Sequence, residues 1–126
     1  MTGEFSVPLH EPQPSQLYLN GRKLALATEW FDFDQPAYDP IPVVEMGNDL
    51  VLTDGHTRTF LAWVAGAEQL RVRRETDDLD LATYRQCVEW CKEEGITEIG
   101  DLAGRAVNAD TFVEVWVRRC EDVGEE

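Results

Sequence analysis

Lysine is nearly missing from this chain. Lys23 and Lys92 are the only two in 126 residues, so the basic side is carried by arginine. Against 11 Lys and Arg stand 25 Asp and Glu, a formal net charge of -14. Nucleic-acid affinity rests on basic patches that displace counterions from phosphates, so this chain is not expected to bind DNA or RNA by itself. The acidity fits an ordinary cytoplasmic protein or a high-salt cytoplasm, where screening reduces self-repulsion. Histidine is also scarce. His10 and His56 do not lie at zinc-like spacing from Cys87, Cys91 or Cys120, and no metal site is expected. Three cysteines, an odd number, argue against a closed disulfide framework. Cys87 and Cys91, beside Val88 and Trp90, read as buried thiols on a helix face rather than as a redox pair. No apolar run approaches the roughly 18 residues that cross a bilayer. Met1-Thr2-Gly3-Glu4 lacks the basic and apolar stretches of a secretion signal. The expected location is the cytoplasm, with no membrane partner.

What is present is enough for one core. A chain of 126 residues makes one ordinary domain, residues 1–126, and 10% aromatics argue against disorder. Residues 1–16, with Pro8, Pro12 and Pro14, read as an extended lead-in, and Leu17-Tyr18-Leu19 as partly strand. Helical spacing of Leu24, Leu26, Ala27, Trp30 and Phe31 after Asn20-Gly21 predicts a helix over 21–31. Pro36 and Pro40 bracket a loop. Ile41–Met46 and Leu50–Thr53 read as strands joined in a hairpin at Gly47-Asn48-Asp49, with Pro42 restricted to an edge or a strand start. A helix over 57–65, ended by Gly66, and a strand over 70–75 follow. Asp80 caps a helix running to Glu94, a short helical turn follows at 99–103, and Asn108 or Asp110 caps the last helix. Residues 121–126 read as an acidic tail. The fold class expected is α+β, a small mixed sheet with helices packed on it and a helical C-terminal third, 80–120.

The chemistry concentrates where the second hairpin strand meets its helix, at Asp54-Gly55-His56-Thr57-Arg58. Glycine permits a tight turn and close approach of a ligand to the backbone. The first helical turn leaves about four N–H groups without intrahelical partners, and with the helix dipole these cradle an anion. Thr57 adds a hydroxyl, His56 an imidazole, and Arg58 a planar guanidinium that grips phosphate in two bonds. The rival reading is a closed helix cap, with Asp54 or Thr57 capping and Arg58 pairing with a carboxylate. Trp30, Phe31 and Phe33 read as core or as the mouth of a pocket. Asp77-Asp78-Leu79-Asp80 reads as a helix-capping acidic loop. Trp90 and Trp116 read as packing for the C-terminal helices, or as a dimer face.

Ile41-Pro-Val-Val, followed by Leu52-Thr-Asp-Gly-His-Thr-Arg-Thr-Phe-Leu-Ala and by Gly66 and a strand, resembles the core of the ParB/sulfiredoxin superfamily over roughly residues 13–75. The resemblance implies that Gly55, His56, Thr57 and Arg58 hold nucleotide phosphates. The sulfiredoxin branch carries a catalytic cysteine where this chain has His56, so reductase chemistry is not implied. The partition-protein branch adds a basic DNA-binding domain. Here the C-terminal helices carry Glu89, Glu93, Glu94, Asp110 and Glu114, and a DNA-partition role is not implied. The free-serine kinase branch has a D-G-H-x-R turn, matched by Asp54, Gly55, His56 and Arg58. Its upstream P-H-E-Q-L element supplies a catalytic carboxylate, where this chain has Pro14-Ser15-Gln16-Leu17. Two function classes follow. One is a nucleotide-binding protein, extending to phosphoryl transfer onto a small hydroxylated molecule. In it Asp54 or Glu11 would serve as base and magnesium would bridge the oxygens of ADP, ATP or CTP. The other is a non-catalytic adaptor whose acidic, Trp-containing helical third binds a protein partner or a second copy.

Overall fold

The computed structural model describes residues 3–123; the first two residues and the end of the acidic tail, 124–126, lie outside them. The fold is α+β: a four-stranded mixed sheet, a two-stranded pair, and helices packed around them, with a helical C-terminal segment. In chain order the elements are β1 (Glu4–Pro8), β2 (Leu19–Asn20), α1 (Gly21–Thr28), β3 (Ile41–Met46), β4 (Asp49–Leu52), α2 (His56–Val64), β5 (Gln69–Arg74) and α3 (Leu81–Glu93). A 3-10 turn (Ile99–Leu102), β6 (Ala106–Val107), α4 (Ala109–Phe112), a π segment (Val113–Val117) and α5 (Arg118–Val123) complete it.

The main sheet runs β1-β5-β3-β4. β3 lies parallel to β5 and antiparallel to β4, with Val43 opposite Leu52 and Val44 opposite Val51. β5 alternates as a half-buried strand should: Leu70 and Val72 are fully buried, while Arg71 points to the opposite face and is half exposed. Pro42 sits at the start of β3, before the β4 ladder begins at Val43, and its carbonyl accepts from Thr53 N–H at 3.2 Å. The hairpin turn at Gly47, φ 62°, is the sharp bend the sequence asks for.

Three expectations are corrected. The lead-in is not merely extended: Glu4–Pro8 forms the outer strand of the sheet, antiparallel to β5, so the sheet begins well before residue 13. An outer strand needs one buried side chain, here Val7, and tolerates a terminal proline, which is why a short polar run hides it. Part of the tail, residues 121–123, is helical, continuing the last helix. The first helix also stops earlier than 31, at Thr28, although Phe31 N–H still bonds to Ala27 O at 3.0 Å.

One contiguous buried cluster joins both ends of the chain, from Val7 and Leu17 through Ile41, Val43, Leu61 and Leu70 to Cys91, Ile96, Leu102 and Trp116. At about 25 cal/mol per Å² of apolar surface, such a cluster is the main stabilising term of the fold. Residues 12–15 run within it, all four buried. Gln13 exchanges backbone bonds with Leu50 and Leu52 (2.7 and 3.0 Å), lying beside β4 like a one-residue strand, and its amide donates to Ile96 O at 2.8 Å. The segment upstream of β2 is therefore built into the sheet edge beside the Asp54–Arg58 turn. Among the described residues no helix is long and apolar enough to cross a membrane.

Candidate functional site

β4 ends at Leu52, and the chain turns through Thr53-Asp54-Gly55 straight into α2. Gly55 sits at φ 76°, in the left-handed region. A Cβ built there would lie 3.0 Å from Ile41 Cδ1 and 2.9 Å from the Arg58 guanidinium, so only glycine brings the backbone this close to both. Gly55 is the N-cap of α2 and supplies no side-chain cap. Thr59 is fully buried and bonds back to Gly55 O through both its N–H (2.9 Å) and its hydroxyl (2.8 Å). That closes the first helical turn from behind and leaves the N–H groups of His56, Thr57 and Arg58 facing forward without acceptors among the described residues. The closed-cap reading of this turn therefore fails. Among the described residues, Asp54 Oδ1 accepts only from Gly55 N–H, at 2.8 Å, and Arg58 pairs with no carboxylate.

This turn forms one wall of a cleft of about 340 Å³. The opposite wall comes from α1: Asn20, Lys23, Ala27 and, just beyond the helix, Trp30. Gln16 and Phe112 close the remaining sides. Asn20 caps α1, accepting from Arg22 and Lys23 N–H at 3.0 and 3.3 Å, so a second helix begins at the same cleft. Two cations flank it. Arg58 makes one bond, Nη1 to Asp39 O at 3.1 Å, which ties it to the 32–40 loop while its other nitrogens stay available. Lys23 Nζ has no hydrogen-bond or ion-pair partner among the described residues, whereas Lys92 is paired with Asp49 at 2.6 Å. In a chain of charge -14, two unpaired cations and two helix N-termini around one cleft make a local positive field. Asp54 is the one carboxylate among the lining residues.

His56 forms part of the cleft floor rather than standing out into it. It is 2% exposed, and its Nε2 accepts the Ser15 N–H at 2.9 Å. Ser15 is held in turn by its hydroxyl, which donates to Leu52 O at 2.6 Å. Burial pushes the imidazole pKa down from 6.5 to about 4, against the opposing pull of Asp54. The ring is neutral at physiological pH, and since Nε2 accepts, the proton sits on Nδ1. Nδ1 is buried and has no partner among the described residues. Although its position after Gly55 puts it beside the cleft, burial keeps the ring neutral across pH 6 to 8.

The structure brings Asp54, Gly55, His56, Thr57 and Arg58 together on this cleft and leaves Glu11 out. Glu11 is exposed and lines a different depression, against the β3–β4 hairpin with Glu45 and Asp49. The Gln13 pairing to β4 fixes the segment after Glu11 along the sheet edge, which carries the carboxylate away from the turn. Sequence reasoning missed Gln16, Asn20 and Lys23. The scarcity of lysine was the available signal for Lys23, and the N-cap role of Asn20 was the signal that α1 begins nearby.

The aromatic residues divide. Phe31 is core, 5% exposed, stacked on Tyr38 at 6.3 Å between centroids. Trp30 is 55% exposed at the cleft mouth, its ring 5.8 Å from Phe31. Trp90 and Trp116 meet edge to face at 6.0 Å, Trp116 is buried, and Arg119 covers Trp90 at 3.9 Å. Both rings of the helical third are engaged within the chain.

Comparison with known proteins adds little. No family model matches the chain, and no curated protein matches it significantly. Among solved structures it is similar to protein Atu1540 from Agrobacterium tumefaciens, at 14% identity and a TM-score of 0.46, over 75% of this chain and 49% of that one. The chain thus spans about half the length of that protein.

Proposed function

We propose that the cleft between α1 and α2 binds the phosphates of a small nucleotide. The observation that carries the reading is the open N-terminus of α2, which no side chain caps and which faces two unpaired cations, Lys23 and Arg58. Three forward N–H groups, a helix dipole and a guanidinium are a donor set that matches phosphate oxygens. Trp30, half exposed at the mouth, offers a flat face on which a base can stack. The turn sequence resembles that of the ParB/sulfiredoxin superfamily, which supports the same ligand class. The net charge of -14 favours a free nucleotide over a nucleic acid.

Phosphoryl transfer to a small hydroxylated molecule is the extension of this reading. Asp54 is then the base, because it lies on the cleft and Glu11 does not. Its Oδ1 is held by Gly55 N–H, which leaves Oδ2 to accept a proton from a hydroxyl. With Asp54 serving as base, a magnesium ion here would be held chiefly by the nucleotide's own phosphate oxygens and water. Bound there, it would neutralise charge on the phosphates. The residues of the chain orient them: N–H groups of residues 56–58 and Arg58 on one side, Lys23 on the other. An acidic cytoplasmic protein is the setting this reading assumes. The adaptor alternative, built on Trp90 and Trp116, has less to rest on because those rings pack on each other and beneath Arg119.

The test is calorimetric titration of the full chain with pyrophosphate, ADP, ATP and CTP, each with and without magnesium. Saturable binding of at least one nucleotide, tighter than pyrophosphate, is expected. Failure of all of them at millimolar concentration refutes the reading.

A further inference from the structure

Two cysteines distant in sequence meet in the C-terminal third. Cys87 on α3 and Cys120 on α5 place their sulfurs 3.8 Å apart, in direct contact. Cys91, one turn along α3 from Cys87, is fully buried. We propose that Cys87 and Cys120 form a redox-active dithiol that reduces a small hydroperoxide and closes to a disulfide. This inference rests on no ligand of the α1–α2 cleft.

Three observations carry it. The first is contact: forming the bond shortens the separation from 3.8 Å by about 1.8 Å, within reach of a side-chain rotation. The second is access. Both sulfurs line a depression of about 220 Å³, shared with Thr53, Tyr84 and Trp116, and Cys120 is partly exposed while Cys87 is buried. The third is asymmetry. Cys120 stands at the open side of the contact beside the Arg119 guanidinium, which favours its thiolate, while burial disfavours a thiolate at Cys87. The accessible sulfur is thus the one favoured as thiolate.

The step balances. The Cys120 thiolate attacks the distal oxygen of the hydroperoxide, the O–O bond breaks, and the alcohol leaves with a proton. Cys120 becomes a sulfenic acid. The Cys87 sulfur, giving up its proton, then attacks the Cys120 sulfur; the S–S bond forms, the S–O bond breaks, and the oxygen departs as water. Two thiols lose two electrons and the O–O bond gains them.

The experiment treats the reduced full chain with hydrogen peroxide, then alkylates and maps peptides. The expected result is one alkylated cysteine, Cys91, and a peptide joining Cys87 to Cys120, reversed by a reductant. Cys87→Ser should instead trap a dimedone-reactive sulfenic acid at Cys120, and Cys120→Ser should abolish both products. Peroxide that leaves all three thiols alkylatable, over-oxidises Cys120 in the wild type without a crosslink, or joins Cys91 or a second chain overturns the proposal. The wild-type peptide map decides the pairing even where a variant fails to fold.

Discussion

Two helices of this protein begin in opposite ways. α3 closes itself: Asp80 accepts from Thr83 N–H at 3.2 Å and from the Thr83 hydroxyl at 2.8 Å, and these bonds hold its carboxylate below the usual range. α2 starts at a bare glycine with its first N–H groups open. Both are entered from the sheet through short acidic segments, so composition alone does not distinguish them. What differs is the neighbourhood. The start of α3 borders the 220 Å³ depression but is closed by its own cap; the start of α2 is uncapped and faces a cleft with two cations and a buried histidine. A helix end that serves the fold finds its partners within a few residues. One left open at a cleft wall is available to a ligand.

Four measurements would break or sharpen that contrast. The largest effect belongs to His56. Its pKa is about 4 in the folded chain against 6.5 ordinarily, so between those values the unfolded chain holds more protons. Stability is therefore full above pH 6.5 and falls as pH drops toward 4, by roughly 3 kcal/mol in all. His56→Gln keeps an acceptor for Ser15 N–H and should lose this dependence. Denaturant melts at pH 4 and 7 that change equally in both proteins would place the titration elsewhere.

Next comes Gly55→Ala. The left-handed φ and the contact with Ile41 together should cost about 2 kcal/mol, and the displaced guanidinium should weaken nucleotide binding as well. A variant of unchanged Tm would mean that the turn relaxes freely. Arg58→Ala should lower pyrophosphate and nucleotide affinity at least tenfold, about 1.4 kcal/mol, with little change in Tm, since the residue makes one exposed bond. Unaltered calorimetric affinity would remove Arg58 from the site. The smallest effect is Asp80→Ala, where loss of the cap should cost about 1 kcal/mol and leave ligand affinity untouched. If affinity falls with it, the two helix starts are not independent.

Local features were legible in the sequence. The caps at Asp80 and Asn108, the hairpin at Gly47 and the Gly55 turn each depend on a few adjacent residues, and each formed as read. The partly buried strands β3 and β5 and the helix stripes followed from periodicity. What escaped were partnerships across long stretches of chain. β1 is recognisable only through β5, some 65 residues later. Pro12–Ser15 looked like punctuation because its burial comes from Leu50, Leu52, His56 and Ile96. Cys87 and Cys91 read as buried thiols on one helix face, and the contact of Cys87 with Cys120, 33 residues on, was not foreseen. Glu11 was adjacent to the motif in sequence and separated from it by the Gln13 bridge.

The bond from Ser15 to His56 has a consequence for what the cleft can tell apart. By occupying Nε2 it removes the ring's one acceptor from the floor and leaves the Nδ1–H buried beneath it. Backbone N–H groups, Lys23 and Arg58 are donors, and Asn20 spends its side-chain oxygen on its own helix. Apart from Asp54, the Thr57 hydroxyl and the Gln16 amide, the polar groups of the wall are donors. On the proposed reading, a fully ionised phosphate would offer such a wall only acceptors, while a protonated phosphate or an ammonium group would bring a hydrogen that most neighbours also carry. The cleft would then rank ligands by how few protons they hold, and selectivity would come from tautomer control one bond behind the surface.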